Sequence, residues 1–499
     1  MIAGTWPSRN PRHSYHQKVR HLPTLIAIGL AAPLLGQSPV YQRISEHLRA
    51  DDLKADVSFL ASDALEGRGT PSRGLDLAAE FIASQFRRAG LEPAGDDGYF
   101  QTATFFQVTP GTDPVELHFG DMAILASSIT VQDAAAAQIT GASAFRATAA
   151  EVDGLTADQV RGKVLFVDPG DGGFQAMRRV PAQVAKLEPA LVVLVRSEGP
   201  PGPGGMRGPR VPLRDTEPKI AILNIADPAL HNAIAAAKTG PIEMKVSARV
   251  PAPKVETVKV RNVAAVIRGT DPTLKDTYLV VTGHYDHLGI NPNLEGDKIF
   301  NGANDDASGS SSVVEIAAAL QALPEKPKRT IVFVTVFGEE VGGLGARWYT
   351  GHPIFPLGRT IADINLEQLG RTDDNEGPKP LQFNLTGFDY TDIAATFAKL
   401  TPQTDIRVVK HEKNSDAFFG RSDNATFADA GIPSTTISVS YVYPDYHKVS
   451  DEWPKLDYDN MAKVDRAIAL GVWTMANDPQ APKWNKDNPK TARYTAQPR

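Results

Sequence analysis

The chain contains no cysteine in 499 residues. That excludes disulfides, thiolate metal sites and a cysteine nucleophile, so any bound metal must rest on histidine and carboxylate side chains. Excess positive charge is missing too: the net charge is -6 and no basic stripe runs through the sequence, which speaks against nucleic acid as a partner. Beyond the N-terminal leader no stretch is long and apolar enough to span a bilayer. In that leader Arg9, Arg12, Lys18 and Arg20 precede the apolar run LPTLIAIGLAAPLLG, which Pro33 interrupts. Residues 1–38 are therefore expected to be an export signal that is removed, ahead of the alternative of an uncleaved anchor. The protein is expected in the periplasm or outside the cell, with no membrane contact once the signal is gone. His13, His16 and His21 lie in this leader and are not expected to be ligands.

What is present has a clear order. A helix is expected over about 74–89, with Leu77, Ala78, Phe81, Ile82 and Phe86 at helical spacing and Gly90 as its stop. From 126 to 254 short β-type runs (KVLFVD, ALVVLV, KIAILNI) alternate with loops, including the glycine- and proline-rich EGPPGPGGMRGPRVP. From 260 onward β-branched runs alternate with amphipathic segments. This predicts an α/β fold: a mixed, mostly parallel sheet sandwiched by helices, interrupted by a β-rich insert. The expected division is a leader (1–38), a first part of the main domain (39–125), the insert (126–254), the main catalytic portion (255–482) and a tail (483–499). Length supports such a two-part body.

In sheets of this kind ligands bind beyond the carboxyl ends of the strands. Metal-capable residues cluster there. His284 and Asp286 follow YLVVTG and share one side if strand geometry continues; His287 alternates to the other side and is expected to pack or to line a rim. Asp305 and Asp306 sit in NGANDDASG, Glu339 and Glu340 in GEEVGG, Glu367 in INLEQLG, and His447 in YPDYHKVSD. Any one of these is more often a helix cap or a solvated turn residue than a ligand. Five such sites at one sheet edge point to a metal centre.

The series H-x-D, D-D-x-S-G, G-E-E, N-x-E and Y-H-x-x-S-D resembles the dizinc exopeptidases of clan MH, typified by bacterial leucyl aminopeptidases and glutamate carboxypeptidase. The pieces GKVLFVDPGD and PALVVLVRSEG resemble the protease-associated domain inserted in many members. The resemblance implies two zinc ions bridged by Asp305. His284 and Glu367 would complete one shell, Glu340 and His447 the other. Glu339 would be the general base, and Asp286 would hold the His284 imidazole. It also implies a cis peptide after Asp305. The donor set agrees: all are nitrogen or hard oxygen ligands suited to zinc. Three carboxylates and one shared hydroxide would balance two divalent ions, and a zinc-held water ionises near pH 7, at about that value.

Two departures bear on substrate class. Glu367 stands where many aminopeptidases carry aspartate, and Asn424 where several members have histidine. Arg421, Ser422, Asp423 and Tyr446 are expected to shape the substrate pocket. The expected activity is an exported aminopeptidase acting on peptides. A carboxypeptidase or dipeptidase remains open, with Arg347, Arg371 or Arg421 as the carboxylate clamp. A non-catalytic binding homologue and a single-zinc glutaminyl cyclase are weaker alternatives, because the ligands and the base are all retained. Oligomeric state is not set by the sequence.

Overall fold

Runs of valine, isoleucine, threonine and phenylalanine build the main sheet, because branched and aromatic side chains fit a pleated surface covered on both faces. In this computed structural model, residues 38–170, 180–196 and 213–496 are described. The expected leader, up to residue 37, and the Gly/Pro-rich loop around 198–212 lie outside them. The strands that matter for the site are β1 Phe100–Thr109, β2 Lys254–Ile267, β3 Tyr278–His284, β4 Thr330–Val336, β5 Thr360–Leu366, β6 Gln382–Leu385, β7 Arg407–Val409 and β8 Ser434–Ser438. Their order across the sheet is β7-β6-β8-β5-β3-β4-β2-β1. Every residue of β3, β4, β5 and β8 is buried.

Parallel pairing joins β3 to β4 and β5, β5 to β8, and β6 to β7. The outer pairings β2 with β4, β2 with β1 and β6 with β8 are antiparallel. The sheet is thus mixed, and its parallel character is concentrated at the centre. His284 faces Val336 across β3 and β4, and Thr282 faces Asn365 across β3 and β5. These registers bring the carboxyl ends of the central strands to one edge.

Five helices support that edge: α1 Ala50–Leu60, α2 Arg73–Arg88, α3 Ser308–Gln321, α4 Leu344–Gly351 and α5 Tyr458–Asn477. Ser72 caps α2 by accepting from the Leu75 amide at 3.1 Å, and Gly90 follows with φ +75°. Its buried stripe is Leu75, Ala78, Ala79, Ile82, Ala83 and Phe86. Leu77, expected on that stripe, is instead 39% exposed. The true stripe starts two residues earlier, where the serine cap sets the phase. α3 is buried almost all round. Three of its serines are hydrogen-bonded: Ser308 Oγ donates to the Asn304 carbonyl (2.7 Å), Ser310 Oγ to the His284 carbonyl (2.6 Å) and Ser312 Oγ to Asp465 (2.8 Å). Two of these bonds tie the helix to segments that carry candidate ligands. Among the described residues no helix is long and apolar enough to cross a membrane.

A second, eight-stranded sheet is formed by residues between Glu116 and Val250, with apolar clusters on both faces. It begins at Glu116 rather than at 126. The short strands Glu116–Phe119 and Met122–Ile124 are too brief to declare their sheet in sequence, and the pairing of Glu116–Phe119 with Gly240–Val250 decides it. One piece of this segment, Leu213–Arg214, leaves it and pairs with β1 of the main sheet.

Candidate metal centre

β3 ends on His284, whose imidazole is fully buried. Its Nδ1 lies 3.1 Å from the main-chain carbonyl of Asp286, which turns Nε2 toward Asp305 Oδ1 (3.3 Å) and Glu367 Oε1 (3.7 Å). The other Asp305 oxygen, Oδ2, faces a second group: His447 Nε2 at 3.1 Å and His287 Nδ1 at 3.9 Å. Glu340 Oε1 stands 3.1 Å from His447 Nε2 and 3.0 Å from His287 Nδ1. Donors bound to one tetrahedral zinc at about 2.0–2.1 Å stand roughly 3.3 Å apart, so both groups have the right spacing. Within each of the triads His284–Asp305–Glu367 and His287–Asp305–Glu340 the candidate atoms lie within 4.8 Å of one another.

Much of this arrangement is held by residues that make no direct contact with the centre of the cluster. The Asp305–Asp306 peptide is cis. Asp451 accepts from the amides of Asn304 and Asp305, each at 3.1 Å, and from the Tyr443 hydroxyl at 2.9 Å. Asp306 accepts from the Gly309 and Gln368 amides, both at 3.0 Å, joining the Asp305 turn to the segment after Glu367. Arg68 is fully buried and donates to the carbonyls of Tyr285 (2.8 Å), Asn301 (2.7 Å) and Gly302 (2.9 Å). Burial pushes its pKa down to about 10, against the pull of Asp286, Asp306, Asp451 and Asp305. Its one positive charge leaves the surrounding carboxylates short of compensation.

The sequence between β2 and α5 matches peptidase family M28 over residues 262–472. That stretch, less than half of the chain, is similar to the family. A probable zinc metalloprotease of Pyricularia oryzae is 41% identical over 263 residues, covering 44% of this chain and 51% of that protein. Aminopeptidase YwaD of Bacillus subtilis is 26% identical over 216 residues, covering 42% of this chain and 44% of that protein. The chain thus spans about half the length of the curated relatives it matches. An aminopeptidase from Aneurinibacillus sp. strain AM-1 shares the fold, with a TM-score of 0.56 at 19% identity over 88% of this chain and 97% of that one.

The centre opens on a cavity of about 850 Å³ whose lining includes Asp305, Glu339, Glu340, Glu367, Tyr446 and His447. Tyr446 stacks on the His447 ring at 3.9 Å between centroids. Arg421 reaches the same cavity and lies over the Phe418 ring. Arg347 also lines it, as do Leu213 and Arg214 from the second sheet's segment.

Several expectations need correction. Asp286 holds the His284 imidazole chiefly through its main-chain carbonyl (3.1 Å), with its carboxylate 3.6 Å from the same nitrogen. That carboxylate accepts from the Glu339 amide (3.0 Å) and the Thr70 hydroxyl (3.1 Å), so it anchors the Glu339 loop. Asp423 does not line the cavity; it is buried, and burial in the company of the Asp286 and Glu367 carboxylates raises its pKa to about 7. The start of the helix Asn424–Asp429 turns it inward and leaves Ser422 at the wall. Arg371 is no substrate clamp: it is buried and paired with Asp373 (2.6 Å) and Asp445 (2.8 Å). Asn424 is structural, accepting from Thr436 (2.8 Å) and donating to the Phe419 carbonyl (3.0 Å). His287 is the largest change. It packs neither at a rim nor on the far side but inside the cluster, because the chain leaves strand geometry after His284 and the His287 amide donates to the Arg68 carbonyl at 3.2 Å.

Arg68, Asp451 and Thr70 were not expected. Asp451 had a sequence signal, since it closes Y-H-x-x-S-D; Arg68 and Thr70 come from a segment more than 200 positions away with no motif of their own.

The residues fit zinc. His284 Nε2 and Asp305 Oδ2 are buried without hydrogen bonds among the described residues, a state that is costly unless a cation satisfies them. Without metal, protons stand in. Burial opposes charge on His447, yet Asp305 and Glu340 hold its pKa up at about 9. Burial, with Glu340, Glu367 and Asp423 close by, raises Glu339 well above the usual carboxylate range despite His284.

Proposed function

We propose that this chain is a zinc-dependent aminopeptidase that holds two zinc ions and removes N-terminal residues from peptides. The observation that carries this reading is the Asp305 carboxylate, which offers Oδ1 to the His284 side and Oδ2 to the His447 side. His284, Asp305 and Glu367 would hold one ion; Asp305, Glu340 and His447 the other. Bound zinc supplies Lewis acidity and an acidified water near neutral pH. Glu339, its amide fixed by Asp286, presents a carboxylate to the cavity. That carboxylate takes a proton from the attacking water and delivers it to the leaving amine. The acidic lining of Glu339, Glu340 and Glu367 suits an α-ammonium group. The names of the relatives, a zinc metalloprotease and an aminopeptidase, support the same reading.

A second reading draws on Arg347 and Arg421, which line the cavity without forming an ion pair among the described residues. They suit a terminal carboxylate, as in a carboxypeptidase or dipeptidase. The test is zinc stoichiometry together with hydrolysis of aminoacyl-p-nitroanilides and of N-blocked peptides. Two zincs per chain with turnover of free-N-terminus substrates supports the aminopeptidase. Turnover confined to blocked peptides moves the assignment to a carboxypeptidase.

Export is part of the proposal, resting on the basic-then-apolar leader before residue 39. Cell fractionation and N-terminal sequencing of the mature protein check it. The second sheet is read as a protease-associated domain whose segment Leu213–Arg214, paired with the main sheet, shades the cavity mouth.

A further inference from the structure

His287 sits one position beyond the H-x-D element and belongs to none of the roles assigned so far. Its side chain is fully buried, and neither ring nitrogen makes a hydrogen bond among the described residues. A buried imidazole normally donates from one nitrogen and accepts at the other. Yet Nδ1 lies only 3.0 Å from Glu340 Oε1 and 3.9 Å from Asp305 Oδ2. A nitrogen this close to a carboxylate oxygen, and not aligned as a hydrogen bond, converges with it on a common point instead.

His447 approaches the same point from another direction. Its Nε2 is 3.1 Å from both Asp305 Oδ2 and Glu340 Oε1, and the two imidazole rings are 5.8 Å apart at 66°. Both histidines thus approach the same pair of carboxylate oxygens, and His287, Asp305 and Glu340 form a set of metal-capable atoms within 4.8 Å of one another. The His287 ring is also fixed from behind. Gly302 packs so closely that a Cβ on it would lie 2.4 Å from His287 Cγ.

We propose that His287 is a fourth protein donor, through Nδ1, to the ion held by Asp305, Glu340 and His447. The inference rests on the two-zinc reading above. It makes the pair unequal. The His287 ion would have four protein donors and the other three, His284, Asp305 and Glu367. The site with four donors would fill first and release last.

The test uses the metal-free full chain, titrated with zinc against a chromophoric chelator and, separately, with cobalt(II) while its visible absorption is read. Wild type is compared with His287→Ala and with His287→Gln, which keeps bulk and hydrogen bonding but is a poor zinc donor. Wild type is expected to bind two zincs in two resolved steps. Both variants should weaken the tighter step by about 100-fold or more and change the cobalt spectrum of the first equivalent, with little effect on the weaker step. Urea unfolding of the metal-free forms serves as the folding control, and His287→Gln should match wild type. An unchanged tight step and cobalt spectrum in both variants overturns the proposal, as does loss in His287→Ala with full retention in His287→Gln, which marks a packing or hydrogen-bonding role. Wild type binding fewer than two zincs overturns the two-zinc reading and this inference with it; two zincs in wild type with unaffected variants overturns this inference alone.

Discussion

Glu339 and Glu340 are neighbours with opposite surroundings. Glu340 lies between His287 and His447, and although burial pushes its pKa up, those two imidazoles hold it below the usual carboxylate range. Glu339 has carboxylates around it and stays high. One is built to remain charged beside a cation and the other to exchange a proton. Replacing Glu339 with glutamine is expected to lower kcat by about 10²–10⁴-fold with zinc content unchanged. Steady-state kinetics and elemental analysis on the same preparation check this; loss of zinc along with activity would reassign Glu339 as a ligand.

At the scale of elements, the turn that carries Asp305 is shaped by Gly302. Its φ of +57° is the left-handed conformation, and an added Cβ would meet the Asp305 carbonyl at 2.3 Å. Gly302→Ala is expected to destabilise the protein by about 2–4 kcal/mol, from strain and overpacking together. The shift of the urea midpoint measures it. Away from the site, Asp56 of α1 and Glu315 of α3 are buried against each other. Burial, then the Glu315 charge, pushes the Asp56 pKa up to about 8. A carboxyl whose pKa is raised by folding contributes fully below its unfolded value of 3.8 and loses that contribution as pH rises through about 8. Stability of the wild type should therefore fall between these limits, and Asp56→Asn should gain about 1–3 kcal/mol relative to wild type at pH 8 compared with pH 5. Urea unfolding at both pH values decides it; parallel behaviour of the two proteins removes Asp56 as the cause.

On the scale of the whole molecule, the metal centre draws on segments from Arg68 to Asp451, so cation binding should hold distant parts of the main sheet together. Chelation is expected to lower the melting temperature reversibly, by the equivalent of about 4 kcal/mol per ion when zinc is present at a thousand times its Kd. Calorimetry before and after zinc restoration checks this. Arg214, paired with the main sheet, lines the cavity and is anchored to Asp133 of the second sheet at 2.6 Å. Arg214→Ala should raise KM about 3–10-fold for peptides long enough to reach it and leave dipeptide-sized substrates unaffected, because binding and not chemistry is lost.

The sequence by itself determined the strands, since uninterrupted β-branched runs have few other uses, and it determined that His284, Asp305, Glu339, Glu340, Glu367 and His447 meet at one sheet edge. Register and parallel pairing follow from those runs, and the edge follows from the register. Only the tertiary structure decided the rest. His287 points into the cluster because its backbone pairs with Arg68 and Gly69 after the strand has ended, and alternation no longer applies there. Asp286 anchors the Glu339 loop, and Arg371 is spent on Asp373 and Asp445, through contacts that no local pattern encodes. Local periodicity reaches only as far as the regular element that carries it; beyond the strand ends, side-chain direction is set by partners brought from elsewhere in the chain.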